Sequence, residues 1–154
     1  MRIRRVIDLS QPFAEGGYNN PAFEDGRIDV IMRHETEGWH AETVYTATHV
    51  GSHVDAPLHK LPGGKSVDQY PLTRFIGEAI PVNLYHKGAD EEITLQDLLP
   101  YDALITEGVN VLLCTGWSDK KKPETKDEYL FHSPWLGGEA SRYLVGKKVN
   151  GVGI

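Results

Sequence analysis

The run NVLLC at residues 110–114 is almost wholly apolar and has the length of one strand, the pattern expected of a strand covered on both faces. Further on, EASRYLV at 139–145 places Ala140, Tyr143 and Leu144 on one helical face. Working outward, EAIPVNLY at 78–85 reads as another strand, and Pro81 assigns it to an edge or a bulge. Thr94 is suited to cap a short helix through Leu99, which Pro100 stops. At the far end Val149, Val152 and Ile154 read as the start of one more buried strand. Strands alternating with helical pieces predict an α/β (α+β layered) fold.

The first half of the chain is written in shorter units. Residues 6–9 read as a strand, 11–26 as a Gly- and Pro-rich loop, and 28–32 as a short strand. Residues 42–48 (ETVYTAT) make a better strand, because β-branched and aromatic side chains fit a pleated surface. LPGGKSVDQYP at 61–71 is rich in turn residues, and SDKKKPETKDE at 118–128 reads as a solvated loop.

Composition narrows the function by exclusion. The 154 residues are the size of one domain, 40% hydrophobic and 25% charged, which argues against wholesale disorder. Sixteen Lys and Arg against 22 Asp and Glu give a net charge of −6, so there is no cationic field for a phosphate backbone and nucleic acid is not an expected partner. No apolar run reaches the roughly 20 residues of a membrane helix, and MRIRRVIDLS has no apolar segment of a secretory signal. One cysteine makes no internal disulfide. The expectation is a cytoplasmic protein with a small-molecule substrate.

The chemistry is concentrated in HVGSHVDAPLH, residues 49–59. His49, His53, Asp55 and His59 all occupy odd positions, while Val50, Ser52, Val54, Ala56 and Leu58 alternate with them. A strand would put the four on one face, but at about 3.3 Å per residue a straight one would hold His49 and Asp55 roughly 20 Å apart. Ligands to one metal each lie about 2 Å from it, so the chain must bend, and Gly51 is the residue able to bend it. A strand-to-loop passage is therefore expected. Two imidazoles and a carboxylate suit zinc, manganese or ferrous iron, and three protein ligands leave the open position that a catalytic ion needs. The remaining histidines, His34, His40, His86 and His132, sit among polar or turn residues and read as surface groups. Cys114 reads as a buried thiol, and Trp39 and Trp117 as core residues before pocket walls.

HVGSHVDAPLH resembles the signature His-x-Gly-Thr-His-x-Asp-x-Pro-x-His of the cyclase-like metal-dependent hydrolases, the family that includes bacterial kynurenine formamidase and isatin hydrolase. Only Ser52 departs from it. IDLSQPF at 7–13, LLCTGWSD at 112–119, HSPWLGGEASRYLV at 132–145 and VGI at 152–154 add similarity in the family's order. The resemblance implies that His49, His53 and Asp55 are metal ligands, with Asp55 able to bridge two ions, and that His59 is the catalytic acid and base. It implies a divalent ion, zinc or manganese. It also implies a mixed, barrel-like β-sheet with flanking helices, assembly as a homo-oligomer, and hydrolysis of an amide or lactam bond of a small, often aromatic substrate. In relatives a histidine and a glutamate follow the last strand and complete the metal site. Neither has a counterpart here and Glu139 does not match, so residues 1–154 are expected to be a single domain incomplete at its C-terminus. Two alternatives stand beside the hydrolase: a non-catalytic metal- or ligand-binding remnant, and a polyketide-type cyclase or dehydratase.

Overall fold

The computed structural model describes residues 5–11, 22–120 and 126–154. Its elements in order are β1 (Arg27–Met32), α1 (His34–Glu37), β2 (Ala41–Tyr45), β3 (Ala79–Asn83), β4 (Glu92–Ile93), α2 (Leu95–Leu98), β5 (Asn110–Cys114), α3 (Trp117–Lys120), α4 (Lys126–Phe131), β6 (Trp135–Leu136), α5 (Gly138–Gly146) and β7 (Gly151–Gly153). Short 3₁₀ turns at Pro57–His59, Val67–Gln69 and Leu72–Arg74 carry the chain from β2 towards β3.

Three small sheets result. β1 and β2 form an antiparallel hairpin with an irregularity between Val30 and Met32. β3, β5 and β7 form a parallel sheet in that order, and β4 and β6 pair in parallel over two residues. The α/β class is as expected, but the barrel-like closure is not: among the described residues the three-stranded sheet is open, with β3 and β7 as its edges. Pro81 lies on edge strand β3, where a residue without an N–H removes no ladder bond on the free side.

The core is built on one face of this sheet. Val82 and Leu84 from and after β3, Val111 and Leu113 from β5, and Ala140 and Leu144 from α5 pack with Ile93, Leu98, Ile105 and Val109. Each fully buried aliphatic side chain contributes about 1.5–3 kcal/mol relative to exposure. Period-2 alternation then leaves Asn110 and Leu112 half-buried and Cys114 exposed, which corrects both the doubly covered strand and the buried thiol. The other face of β5 is thus available to line a cavity.

Local signals explain the elements that hold this core. The Asp97 carboxylate accepts hydrogen bonds from the backbone N–H and the hydroxyl of Thr94, at 2.7 and 2.8 Å, and fixes the first turn of α2. α2 ends at Leu98, just ahead of Pro100 as expected, and Pro100 sits in the 3₁₀ turn that follows, Leu99–Tyr101, where its missing N–H costs nothing. α5 buries Ala140 and Leu144 as its periodicity requires, with Tyr143 half-buried.

Other expectations are revised. Residues 6–9 form no strand, and Val6 and Leu9 are exposed. The polar stretch 118–128 is helical at both described ends, in α3 and α4, and its middle, with Lys121 and Lys122, lies outside the described residues. β7 forms where the terminal strand was expected, but Val152 and Ile154 are exposed. Trp117 is core, its Nε1 donating to the Tyr129 carbonyl at 2.9 Å, whereas Trp39 is exposed after the Gly38 turn.

Candidate metal centre

β2 ends at Tyr45, and the chain then runs through bends to Ser52 and an irregular stretch to Ala56 before the turn at Pro57–His59. Gly51 has φ +62°, a left-handed conformation that would strain any side chain, and it provides the bend that the spacing demanded. The bend is pinned from outside by the Ser52 hydroxyl, whose oxygen accepts a hydrogen bond from the Gln11 backbone N–H at 2.8 Å.

The result is convergence. His49 Nδ1 lies 3.1 Å from Asp55 Oδ1 and 2.8 Å from His53 Nε2, and His53 Nε2 lies 3.6 Å from the same carboxylate oxygen. Three donor atoms about 2.05 Å from a common tetrahedral centre would be separated by about 3.3 Å, so the donor spacing fits one zinc-sized ion. The donor chemistry fits as well, being two imidazoles and a carboxylate.

The tautomer of His53 can be assigned from its partners. Its Nδ1 lies 2.7 Å from the Gly51 carbonyl oxygen, which only accepts, so Nδ1 carries the proton and Nε2 of the neutral ring keeps its lone pair. The main-chain bend thus aims His53 Nε2 at the point shared with His49 and Asp55. A backbone carbonyl behind a ligating imidazole is a common support of metal sites.

His59 joins the cluster differently. Its ring stacks on that of His49 at a centroid distance of 4.3 Å and an interplanar angle of 15°, whereas the rings of His49 and His53 meet at 67°. The small angle lays the His59 ring face to face on His49, whereas the inclined His53 ring brings its Nε2 to within 2.8 Å of His49 Nδ1. His49, Asp55 and His59 nevertheless offer ligand atoms within 4.8 Å of one another, so all four residues share one small region.

The cluster borders a cavity of about 710 Å³. His49, Asp55 and His59 are among its lining residues, together with Lys60, Leu61, Tyr70, Arg74 and Asn150. A second, adjoining recess is floored by Asn110 and Leu112, the face of β5 that the core leaves uncovered. Phe23 meets His49 edge-on at 6.0 Å. Sequence reasoning missed Phe23, Tyr70, Arg74 and Asn150, because each reaches the site from a distant segment. The Asn150 side-chain amide donates to the Arg74 carbonyl at 2.6 Å and its backbone N–H to the Val109 carbonyl at 2.7 Å, tying the Arg74 turn to the sheet. An Asn-Gly pair at the entry to a strand was the available signal.

The other histidines lie apart from the cluster. His40 pairs with Glu42 at 2.9 Å, His86 reaches Asp97 at 3.4 Å, and His132 pairs with Asp90 at 2.8 Å, all at exposed positions. His34 only stacks loosely on His40, at 6.1 Å.

The chain is similar to several known proteins. An uncharacterized protein of Haemophilus influenzae is 33% identical over 108 residues, covering 69% of this chain and 75% of that protein. A kynurenine formamidase of Salinibacter ruber is 47% identical over 38 residues, covering 25% of this chain and 18% of that enzyme. Among solved structures, isatin hydrolase A from Labrenzia aggregata bound to benzyl benzoate superposes with a TM-score of 0.81 at 25% identity, over 96% of this chain. A structure described as a potential metal-dependent hydrolase with cyclase activity superposes with a TM-score of 0.70 at 29% identity, again over 96% of this chain. The chain spans 66% of the length of each of these two structures. The family described as "Putative cyclase" matches residues 7–154, and the chain belongs to it.

Proposed function

We propose that this protein is a metal-dependent hydrolase that cleaves an amide or lactam bond of a small, aromatic substrate, with His49, His53 and Asp55 as ligands of a divalent ion, zinc or manganese, and His59 as the proton-transfer group. The carrying observation is the convergence of His49 Nδ1, His53 Nε2 and Asp55 Oδ1, with the lone pair of His53 Nε2 left open by the Gly51 carbonyl. Family membership and the isatin hydrolase and kynurenine formamidase among its relatives support the same class of reaction. A small-molecule substrate, assembly as a homo-oligomer and a cytoplasmic site of action belong to this proposal.

An ion held there would supply Lewis acidity, lowering the pKa of a bound water towards neutrality and polarising the scissile carbonyl. The protein's own groups do the rest. The Gly51 carbonyl holds the His53 ring in one tautomer, and the Asp55 carboxylate supplies the negative charge. His59 stands beside His49 at the cavity wall, where a ring nitrogen takes a proton from the attacking water and returns it to the leaving nitrogen. Imidazole suits both halves of that task because its ordinary titration range lies near neutral pH.

Metal content and hydrolysis of an N-formyl aryl amide, measured on the same variants, test the assignment. His53→Ala and Asp55→Ala are expected to lose the ion. His59→Ala is expected to keep it while turnover falls by about 10²–10⁴-fold, the usual worth of general acid–base assistance. Unchanged metal stoichiometry in both ligand variants would refute the site, and metal loss in His59→Ala would move that residue into the ligand set.

A further inference from the structure

The charge of the cavity is opposite to that of the protein. The chain carries a net −6, yet the cavity beside the histidine cluster is lined by two cations, Lys60 and Arg74, and by one carboxylate, Asp55, which the cluster itself engages. Among the described residues, neither Lys60 nor Arg74 has an acidic partner, whereas Arg27, Lys87, Lys147 and Lys148 each pair with a carboxylate. Arg74 lines both the cavity and the adjoining recess. Its backbone is not a loose surface loop: the 3₁₀ turn Leu72–Arg74 is anchored through the Arg74 carbonyl to Asn150, at the entry to β7. A guanidinium on a fixed backbone, without a protein carboxylate, is the group that recognises a ligand carboxylate in two-pronged fashion.

We infer that the cavity takes an anionic ligand, a small amide whose acyl or aryl part bears a carboxylate, and that Arg74 is the residue that selects it, with Lys60 adding to the field. This rests on the reading of the histidine cluster as the reacting centre, and it deepens that reading by naming the class of substrate. Tyr70 and Leu61 supply the apolar wall of the same cavity, which suits an aromatic or otherwise flat body attached to the carboxylate.

Binding of anthranilate, a fluorescent aromatic carboxylate, against its neutral isostere anthranilamide tests this without any need for turnover. Titrations run in chelator and again with added zinc separate the contribution of Arg74 from that of a bound cation. In chelator and at low salt, wild-type protein should bind anthranilate about fivefold more tightly than anthranilamide, a preference in keeping with a partly exposed charged hydrogen bond. The preference should shrink as salt is raised. Arg74→Gln should abolish it while leaving anthranilamide binding within about twofold, Arg74→Lys should keep part of it, and Lys60→Gln should reduce it less. Equal binding of the two probes by wild-type protein, no measurable binding of either at millimolar concentration, or an intact preference in Arg74→Gln would overturn the inference. An intact, Arg74-dependent preference in a protein that hydrolyses neither N-formylanthranilate nor N-formylaniline would instead overturn the hydrolase reading and leave the anion site standing.

Discussion

Replacing Gly64 by alanine perturbs the turn that carries His59 without touching any side chain of the cluster. A Cβ at residue 64 would lie 2.7 Å from the Pro57 carbonyl carbon and 2.9 Å from both the Leu58 nitrogen and the Pro57 oxygen. All three are backbone atoms, so no rotamer change relieves the overlap, and ordinary carbon contacts are about 3.5–4.0 Å. The turn must therefore move by close to 1 Å. It is held by the bond from Leu58 N–H to the Lys65 carbonyl, 3.1 Å, and by the Leu61 N–H on the Pro57 carbonyl, 2.8 Å. Overpacking of this kind costs about 1–3 kcal/mol, and a lost hydrogen bond about 1 kcal/mol more. For a chain of this size that amounts to a Tm lower by about 5–10 °C. The functional signature is sharper: metal content should be kept, since His49, His53 and Asp55 are not on the turn, while turnover falls by about 10–100-fold because a 1 Å misplacement of a reacting group is that costly. Thermal melts, metal analysis and amide hydrolysis on Gly64→Ala and on a control, Gly88→Ala, read all three effects. At Gly88 the nearest atom to an added Cβ is 3.9 Å away, so the control should be close to neutral. A Gly64→Ala protein with an unshifted Tm and full turnover would refute the reasoning.

Two further outcomes follow from the core layer. Burial works against the charged form of Asp97, but the hydrogen bond from Lys87 and those from the Thr94 backbone and hydroxyl outweigh it and bring its pKa down to about 2. Because the folded value is depressed, the stabilisation is fully present above the ordinary value of 3.8 and is lost as pH falls through about 2. Acid titration of the melting temperature should show roughly 2 kcal/mol of stability disappearing in that window, and Asp97→Asn, which leaves the Lys87 ammonium with the Glu92 carbonyl but without its carboxylate, should remove it at neutral pH as well; an unchanged acid limb in that variant would refute the assignment. Cys114 is exposed, so a disulfide reagent should label one thiol per chain without denaturant, and a thiol reactive only after unfolding would contradict the one-sided burial of β5.

The readable parts of this chain were those whose signals are local. Thr94 with Asp97 three residues on marks a helix start, and Ala140, Tyr143 and Leu144 mark a helix face, because capping and periodicity act within one turn. HVGSHVDAPLH was legible for the same reason: the bend at Gly51 and the donors it gathers lie within seven residues. The misreadings concern partners far along the chain. NVLLC looks doubly covered because composition cannot say that the second face borders a recess instead of a helix. Residues 6–9 look like a strand because Val, Ile and Leu favour one, yet no neighbouring strand is offered to them among the described residues. Arg74 and Asn150 meet across 76 positions, and no short-range pattern announces such a contact.

The two layers of the molecule are stabilised by different means. Every buried hydrophobic residue among those described falls between Val82 and Leu144, whereas the cluster spans 49–59, where no described residue is buried. Its contacts are hydrogen bonds and ring contacts among side chains about one-third to one-half exposed, and exposed pairs of that kind are worth about 0–1 kcal/mol each. Apolar packing therefore does not hold the histidines; the left-handed turn at Gly51, the Ser52 tie to Gln11 and the Gly64 turn against Pro57 do. A site of that construction has pre-aimed donors but little stability of its own, so an ion that binds the gathered donors and not the dispersed ones stabilises the loop in proportion to its affinity. The sheet contributes by packing: it offers β5 as a floor and Asn150 as an anchor while the histidine loop is organised above it.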